Sequence, residues 1–297
     1  MGSMKKWEVA QKHAGLSLQS FLKEQLGFSG KQIKRMIDSG YCSLNGRPER
    51  FASRLIGHKD VIELKDLPKV PKSEIPNNEI ESRILYTDED LIAYNKPAGI
   101  TSDNKTLLDS LSKQFGEVIL LHRLDKDTTG VLLFARSKAV AGVIESQFRK
   151  RSVKKTYLAI VQGVPSQSSG IIDNFLGKLH VFHGQTVWGE VSKEKGLHAR
   201  TSWKVQKKGN KTALLECHPE TGRTHQIRVH LSGIGYPILG DHQYGASLSA
   251  SYRPERILLH AAEIVLNHPK TNQSLLIKSP APPDFIQTAE QLWGKHG

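Results

Sequence analysis

Cysteine is nearly absent from this chain: Cys42 and Cys217 are the only two among 297 residues. A pair so far apart offers no CxxC spacing, which excludes the common redox and zinc motifs and fits a reducing compartment. Both read as inert buried thiols. Long apolar runs are missing as well. No stretch approaches the length that spans a bilayer and no apolar signal core follows the N-terminus, so the sequence predicts a cytoplasmic protein without a membrane partner. Met1-Gly2-Ser3 reads as an added leader before a native start at Met4. Acidic residues are the third scarcity: 29 Asp and Glu face 42 Lys and Arg, a formal charge of +13. A polyanion suits that balance better than an acidic small molecule, although many proteins are basic for solubility alone. With 38% apolar and 24% charged residues, the chain has the composition of a folded protein with one large core or two domains.

The first quarter divides into short pieces. Apolar residues at Leu18, Phe21, Leu22 and Leu26 share one helical face, with Gly27 as a stop. A second helix is predicted from an N-cap at Ser29, burying Ile33, Met36 and Ile37 and exposing Lys31, Lys34 and Arg35. Asn45-Gly46, just before Arg47, is a strong hairpin turn, and Val61-Ile62-Glu63-Leu64 alternates as a strand does. Many cations and few aromatics mark residues 5 to 72, a composition suited to the phosphates of structured RNA, which orient a protein without reading bases. The plain alternative is a solvated helix face. Asp66 to Pro76 carries three prolines with mixed charge and reads as a semi-rigid linker.

The rest of the chain is arranged around His122-Arg123-Leu124-Asp125-Lys126-Asp127-Thr128-Thr129-Gly130, followed at once by Val131-Leu132-Leu133-Phe134-Ala135. The apolar run is a buried strand by length and composition, and the polar nonapeptide is a loop at its mouth. Loops carried by core strands are where chemistry usually sits, but a turn whose Asp and Thr bond their own backbone is the commoner use of such residues. Two strands around Asp88, a helix near Leu107 to Phe115, a capped helix from Ser137 to Phe148 ending in Arg149-Lys150-Arg151, and a strand over Lys154 to Gly163 are predicted. Ser166 to Lys195 has strands of undefined limits, and 199–205 with 212–217 reads as a strand pair. Thr224 is expected to cap a helix that buries Ile227, Leu231 and Ile234. His225 and His230, five apart, do not share a helical face and carry no metal-site pattern.

His-Arg-Leu-Asp-x-x-Thr-x-Gly before an apolar strand resembles the signature of the RluA branch of the pseudouridine synthases, with Thr129 in place of the usual Ser. Asn95-Lys96-Pro97-Ala98-Gly99, Lys155-Thr156-Tyr157-Leu158-Ala159-Ile160-Val161-Gln162-Gly163 and Gly222-Arg223-Thr224-His225-Gln226-Ile227-Arg228-Val229-His230-Leu231 resemble further motifs of that branch. So do Leu239-Gly240-Asp241 with Tyr244-Gly245, Leu259-His260-Ala261, and the ending near Phe285. The polar Ile100 to Lys105 replaces the family's usual apolar-Val-His-Pro segment. The N-terminal order resembles the small RNA-binding domain of ribosomal protein S-four, with Ser17 where an Asp is common.

The resemblance implies an α+β protein: an S-four-type domain over 1–66, a linker over 67–78, and a mainly antiparallel catalytic domain with flanking helices over 79–297. It implies isomerisation of uridine in structured RNA, ribosomal RNA before transfer RNA, by a monomer that needs no metal or cofactor. Asp125 would be the nucleophile, Arg228 the cation that keeps it ionised, and Tyr157 the residue beside the uracil. Arg123 would fill the gap left by the flipped nucleotide, and His122, Arg223, Lys31, Lys34, Arg35 and Arg47 would contact RNA. Attack on the anomeric carbon, addition to the ring and proton removal to a glycal all stay open. Two other classes remain at this point: a glycosidic hydrolase using Asp125 with Asp127, and a non-catalytic RNA-binding or ribosome-assembly protein.

Overall fold

The computed structural model describes residues 4–28, 30–38, 40–49, 51–65, 77–182, 185–245 and 254–294. Ser29 and the linker residues up to Pro76 lie outside the described residues, as do the side chains of Lys31 and Arg35. The chain divides into two compact units, Met1–Glu74 and Ile75–Gly297.

The first unit runs β1 (Met4–Glu8), α1 (Leu18–Leu26), α2 (Gly30–Asp38), β2 (Cys42–Leu44), β3 (Arg47–Glu49) and β4 (Val61–Lys65). Ser17 caps α1, its Oγ accepting the Ser20 N–H at 3.1 Å, and Gly27 ends the helix in a left-handed conformation. Leu18, Phe21 and Leu22 bury against Ile33, Met36 and Ile37 of α2 and against Ile62 and Leu64 of the sheet. Asn45 and Gly46 take φ of 51° and 76°, the two-residue turn whose twist matches antiparallel strands, here β2 and β3. The sheet order is β1-β4-β2-β3. β1 was not legible in the sequence, because Lys5 and Lys6 interrupt any apolar alternation. The strand is held by pairing with β4, where Lys6 meets Glu63 at 2.9 Å.

The second unit begins with α3 (Asn77–Ser82), β5 (Ile84–Thr87), β6 (Leu91–Lys96), α4 (Lys105–Phe115), β7 (Ile119–Leu120), β8 (Thr129–Ala135), α5 (Lys138–Arg149) and β9 (Lys154–Gln162). It continues with β10 (Ser169–Phe182), β11 (Gln185–Glu190), β12 (Leu197–Lys208), β13 (Thr212–Pro219), α6 (Gln226–Gly233), β14 (Leu259–Asn267), β15 (Ser274–Lys278) and α7 (Pro283–Trp293). All these strands join one sheet, in the order β11-β10-β12-β13-β9-β14-β8-β6-β5, with β15 on β14 and β7 on β8. The α+β class is as expected, and the mainly antiparallel sheet is made mixed by the parallel pairing of β8 with β14. The segment that defied reading, 166–195, holds the long β10–β11 pair at the sheet edge, with a register shift between Lys178 and His180.

The parallel pairing explains the residues that close the loop motif. All seven residues of β8 are buried. Gly130 has φ of 114°, and a Cβ there would stand 2.1 Å from the Ala261 carbonyl oxygen, so only glycine lets β14 approach. The Thr129 hydroxyl donates to His260 Nδ1 at 2.9 Å while His260 Nε2 donates to the Ser279 carbonyl at 3.1 Å. Ser or Thr serves that bond equally. Cys42 and Cys217 are buried and unpaired, and burial pushes their thiols up to about 11 and about 12. Among the described residues no helix is long and apolar enough to cross a membrane.

Candidate active site

The loop between β7 and β8 is fixed from beneath by the segment after β6. The Lys96 side chain is fully buried, and its Nζ donates to the carbonyls of Pro97, Ile100 and Lys126, each at 2.9 Å. Burial brings its pKa down to about 8. The Gly99 N–H adds a second bond to Lys126 O at 3.0 Å. Ser102 Oγ accepts the Leu124 N–H at 2.8 Å and donates to the Leu124 carbonyl at 2.9 Å. Lys96 with Gly99 on one side, and Ser102 of the polar stretch on the other, therefore clamp both neighbours of Asp125. Lys96 stood within the Asn-Lys-Pro-x-Gly motif with no role assigned to it, and nothing in the sequence singled out Ser102.

Asp125 faces a cleft of about 910 Å³ in the second unit. Its Oδ2 accepts from Arg228 Nη1 at 3.2 Å, across 103 positions of sequence. Arg228 is buried and held from behind: Nε and Nη2 bond the two Asp241 oxygens at 2.7 and 3.0 Å, Nη2 also meets Gln243 Oε1 at 3.1 Å, and the guanidinium lies 4.9 Å from the Tyr244 ring centroid. Burial opposes the charge on Arg228, but the hydrogen bonds and charges of Asp241 and Asp125 outweigh it and hold the guanidinium protonated. His225 approaches from the other side, with Nε2 3.9 Å from Asp125 Oδ1 and Nδ1 2.8 Å from the Tyr244 hydroxyl.

Tyr157, on β9, lines the same cleft. Burial and then the charge of Asp125 push its phenol well above the usual range, so it is a neutral O–H group beside the carboxylate. Cations form much of the remaining wall: Arg123, Arg149, Arg151, Lys155 and Arg223. Lys155 donates to Thr221 O at 3.0 Å, and burial brings its pKa to about 8. Arg223 is oriented by a bond from Nε to His198 O at 2.9 Å. Lys34 and Arg47 are exposed in the first unit.

The structure adds to one expectation and corrects another. His122 also lines the cleft, but its Nε2 accepts the Leu133 N–H at 3.2 Å, and burial, with Lys155 adding to it, drops its pKa to about 3. The bond from Leu133 ties the loop to β8 through a neutral ring. Thr224 does not cap α6. The N-cap is His225, left-handed at φ 56°, and the helix entrance is organised by Gln226, whose Oε1 accepts from Arg223 N at 3.0 Å and from Thr221 Oγ1 at 2.6 Å. A capping pattern in sequence cannot reveal that a glutamine inside the first turn takes over this work.

The carboxylates lining the cleft are Asp103, Asp125 and Glu220; Asp127 is not among them, which removes the acid and base pair of the hydrolase reading. Asp88, Asp90 and His268 have a spacing that suits a metal ion, and none of the three lines this cleft. Their atoms are instead bonded among themselves, to Tyr86 and to Lys270, as a closed turn.

Residues 90–233 match the family model described as RNA pseudouridylate synthase. The chain is 32% identical over 300 residues to an uncharacterized RNA pseudouridine synthase of Mycobacterium bovis, covering 95% of this chain and 96% of that one. It is 31% identical over 293 residues to the ribosomal large subunit pseudouridine synthase C of Haemophilus ducreyi, covering 92% and 90%. Among solved structures it is similar to human RNA pseudouridylate synthase domain containing 4, with a TM-score of 0.63 and 29% identity over 74% of this chain and 96% of that one.

Proposed function

The chain belongs to the RluA family of RNA pseudouridine synthases, which are isomerases, and from that premise we propose that it acts on a specific uridine of large-subunit ribosomal RNA with Asp125 as the reacting carboxylate. The observation that carries this reading is a carboxylate with one oxygen on the buried Arg228 and the other facing a cation-walled cleft. The reaction breaks the bond from C1′ to N1, turns the uracil and joins C1′ to C5; the proton lost from C5 is balanced by one gained at N1. The exchange involves no net oxidation or reduction and no phosphoryl transfer. A carboxylate supplies the nucleophile or base such an exchange needs, and Arg228 keeps it charged where burial would favour the acid. The neutral phenol of Tyr157 flanks the uracil, and its O–H relays a proton at the end of the reaction.

Arg123 takes the place of the flipped nucleotide, while Arg149, Arg151, Lys155 and Arg223 receive the phosphates on either side. The names of relatives such as the Haemophilus ducreyi enzyme support ribosomal RNA as the target. The N-terminal unit serves as an S-four-type docking module: two amphipathic helices on a small sheet, with Lys34 and Arg47 exposed.

Mapping pseudouridines in cells that lack the protein tests the assignment. One or a few sites in large-subunit ribosomal RNA should disappear and return with the wild-type gene but not with Asp125→Asn. Loss confined to transfer RNA would move the target, and restoration by Asp125→Asn would refute the catalytic assignment.

A further inference from the structure

The two oxygens of Asp125 meet different neighbours. Oδ2 takes Arg228 at 3.2 Å, whereas Oδ1 looks across 3.9 Å at His225 Nε2. That gap is too wide for a direct hydrogen bond, yet the imidazole is held there firmly. The His225 backbone adopts φ 56°, a region that non-glycine residues enter at a cost. Its ring meets the Tyr244 ring edge-on, centroids 5.6 Å apart, and Nδ1 lies 2.8 Å from the Tyr244 hydroxyl.

Two neighbours together fix which ring nitrogen carries the proton. The phenol oxygen of Tyr244 receives the Trp188 N–H at 3.1 Å and its own proton is free to donate to His225 Nδ1. A lone pair on Nε2 would face the Asp125 carboxylate, so the imidazole proton sits on Nε2, aimed toward Asp125, and the phenol donates to Nδ1. Burial lowers the pKa of His225 against the opposing pull of Asp125, so this neutral tautomer is the working form.

The gap is thus bounded by an N–H donor and a carboxylate acceptor, and both side chains are partly open to the cleft, 20% and 25% exposed. An oxygen about 2.8 Å from each would accept from one and donate to the other. Among the groups of a nucleotide, only a hydroxyl does both. The uracil offers carbonyls that accept and an N3–H that donates. In a nucleotide inside an RNA chain the 3′ and 5′ oxygens are esterified, so the free hydroxyl is the 2′-OH, attached next to the carbon whose bond is exchanged. We propose that His225 and Asp125 jointly hold the ribose 2′-hydroxyl of the target uridine, which makes His225 a residue that selects ribose over deoxyribose. The inference rests on Asp125 being the reacting carboxylate; a 2′-hydroxyl bonded to Oδ1 also brings that oxygen to C1′.

The test uses the RNA fragment identified by mapping, synthesised with uridine or 2′-deoxyuridine at the target, and reads dissociation constants and single-turnover rates for the full-length protein. His225→Phe keeps the ring and removes the donor, His225→Gln places an amide N–H near the position of Nε2, and Tyr244→Phe removes the phenol that donates to Nδ1. The deoxy substitution is expected to lower rate over Kd about tenfold in wild type and in His225→Gln, the worth of one hydrogen bond, but less than about threefold in His225→Phe and Tyr244→Phe. Circular dichroism establishes that each variant is folded. Should His225→Phe fail to fold, the comparison of wild type with Tyr244→Phe decides. Equal deoxy penalties in wild type and the folded donor-deficient variant would overturn the proposal. Asp125→Asn, measured alongside, separates the two claims: an active Asp125→Asn defeats the reading of the carboxylate, whereas an inert one with equal deoxy penalties defeats only the role of His225.

Discussion

Asp241 grips Arg228 more fully than Arg228 grips Asp125: two bonds of 2.7 and 3.0 Å on one side, one of 3.2 Å on the other. Asp241 is almost wholly buried, and its Oδ1 also accepts the backbone N–H groups of Gln243 and Tyr244. The guanidinium is therefore fixed by its neighbours on the α6 side before it reaches the Asp125 carboxylate. Asp241→Asn leaves a buried cation short of its main counter-charge, and stability should fall by about 3 kcal/mol. Single-turnover rates should fall at least about tenfold as Arg228 turns from its place, since small misplacements in a site are costly. Urea unfolding and single-turnover assays measure both; an unchanged rate would mean that Arg228 needs no anchor.

Asp125→Asn removes a charge with little change in volume. Turnover should drop more than about a thousandfold, as is usual when the reacting group is lost. RNA affinity should stay within a few-fold, because the cationic wall of the cleft is untouched. Filter binding beside a pseudouridine assay checks both, and appreciable isomerisation by the variant would count against the assignment.

Asp125, Tyr157 and Arg228 were readable in sequence because each lies in a short motif with recognisable neighbours, although nothing local says that the first and last meet. The groups that hold them were harder to see. Lys96 and Ser102 act through backbone carbonyls and N–H groups of a loop more than twenty residues away, and Tyr244 matters for its ring and hydroxyl together. The bond that His122 makes to β8 was hidden for a related reason: sequence shows a ring that can carry charge, while burial favours its neutral form. The amphipathic helices α1 and α2 and the buried strand β8 followed from apolar periodicity, whereas β1 depends on its partner and left no pattern of its own.

His122 should also shape acid stability. Its folded pKa, about 3, lies below the ordinary 6.5, so between those values the unfolded chain binds a proton that the folded chain refuses. The stabilisation is complete above pH 6.5 and is lost as pH falls toward 3, by about 1.4 kcal/mol per pH unit. His122→Gln can still accept from Leu133 N–H but does not titrate. The drop in unfolding free energy from pH 6.5 to 5 should be smaller in this variant by about 1–2 kcal/mol. His230, depressed to about 4 in the same direction, remains in both proteins and cancels in the comparison. Identical pH dependence would indicate that His122 is protonated in the folded state as readily as in the unfolded one.

The N-terminal unit should be separable from the chemistry. Every residue assigned to the cleft belongs to the second unit, while the first has its own core and carries exposed cations. If the first unit contributes only by neutralising phosphates, removing residues 1–74 should weaken binding to a long structured RNA and flatten its salt dependence. The slope of log K against log salt should shrink by about one for each phosphate the unit would otherwise neutralise, because each neutralised phosphate releases a counterion. The single-turnover rate at saturating RNA should remain within a few-fold of wild type, since docking and reaction are then carried by separate parts of the chain. Titrations of both forms at several salt concentrations, with rates at saturation beside them and a thermal melt to establish that the truncated protein is folded, distinguish the cases. Equal salt slopes would show that the unit does not touch phosphate. A folded truncation that binds but does not react would show that the unit takes part in shaping the site.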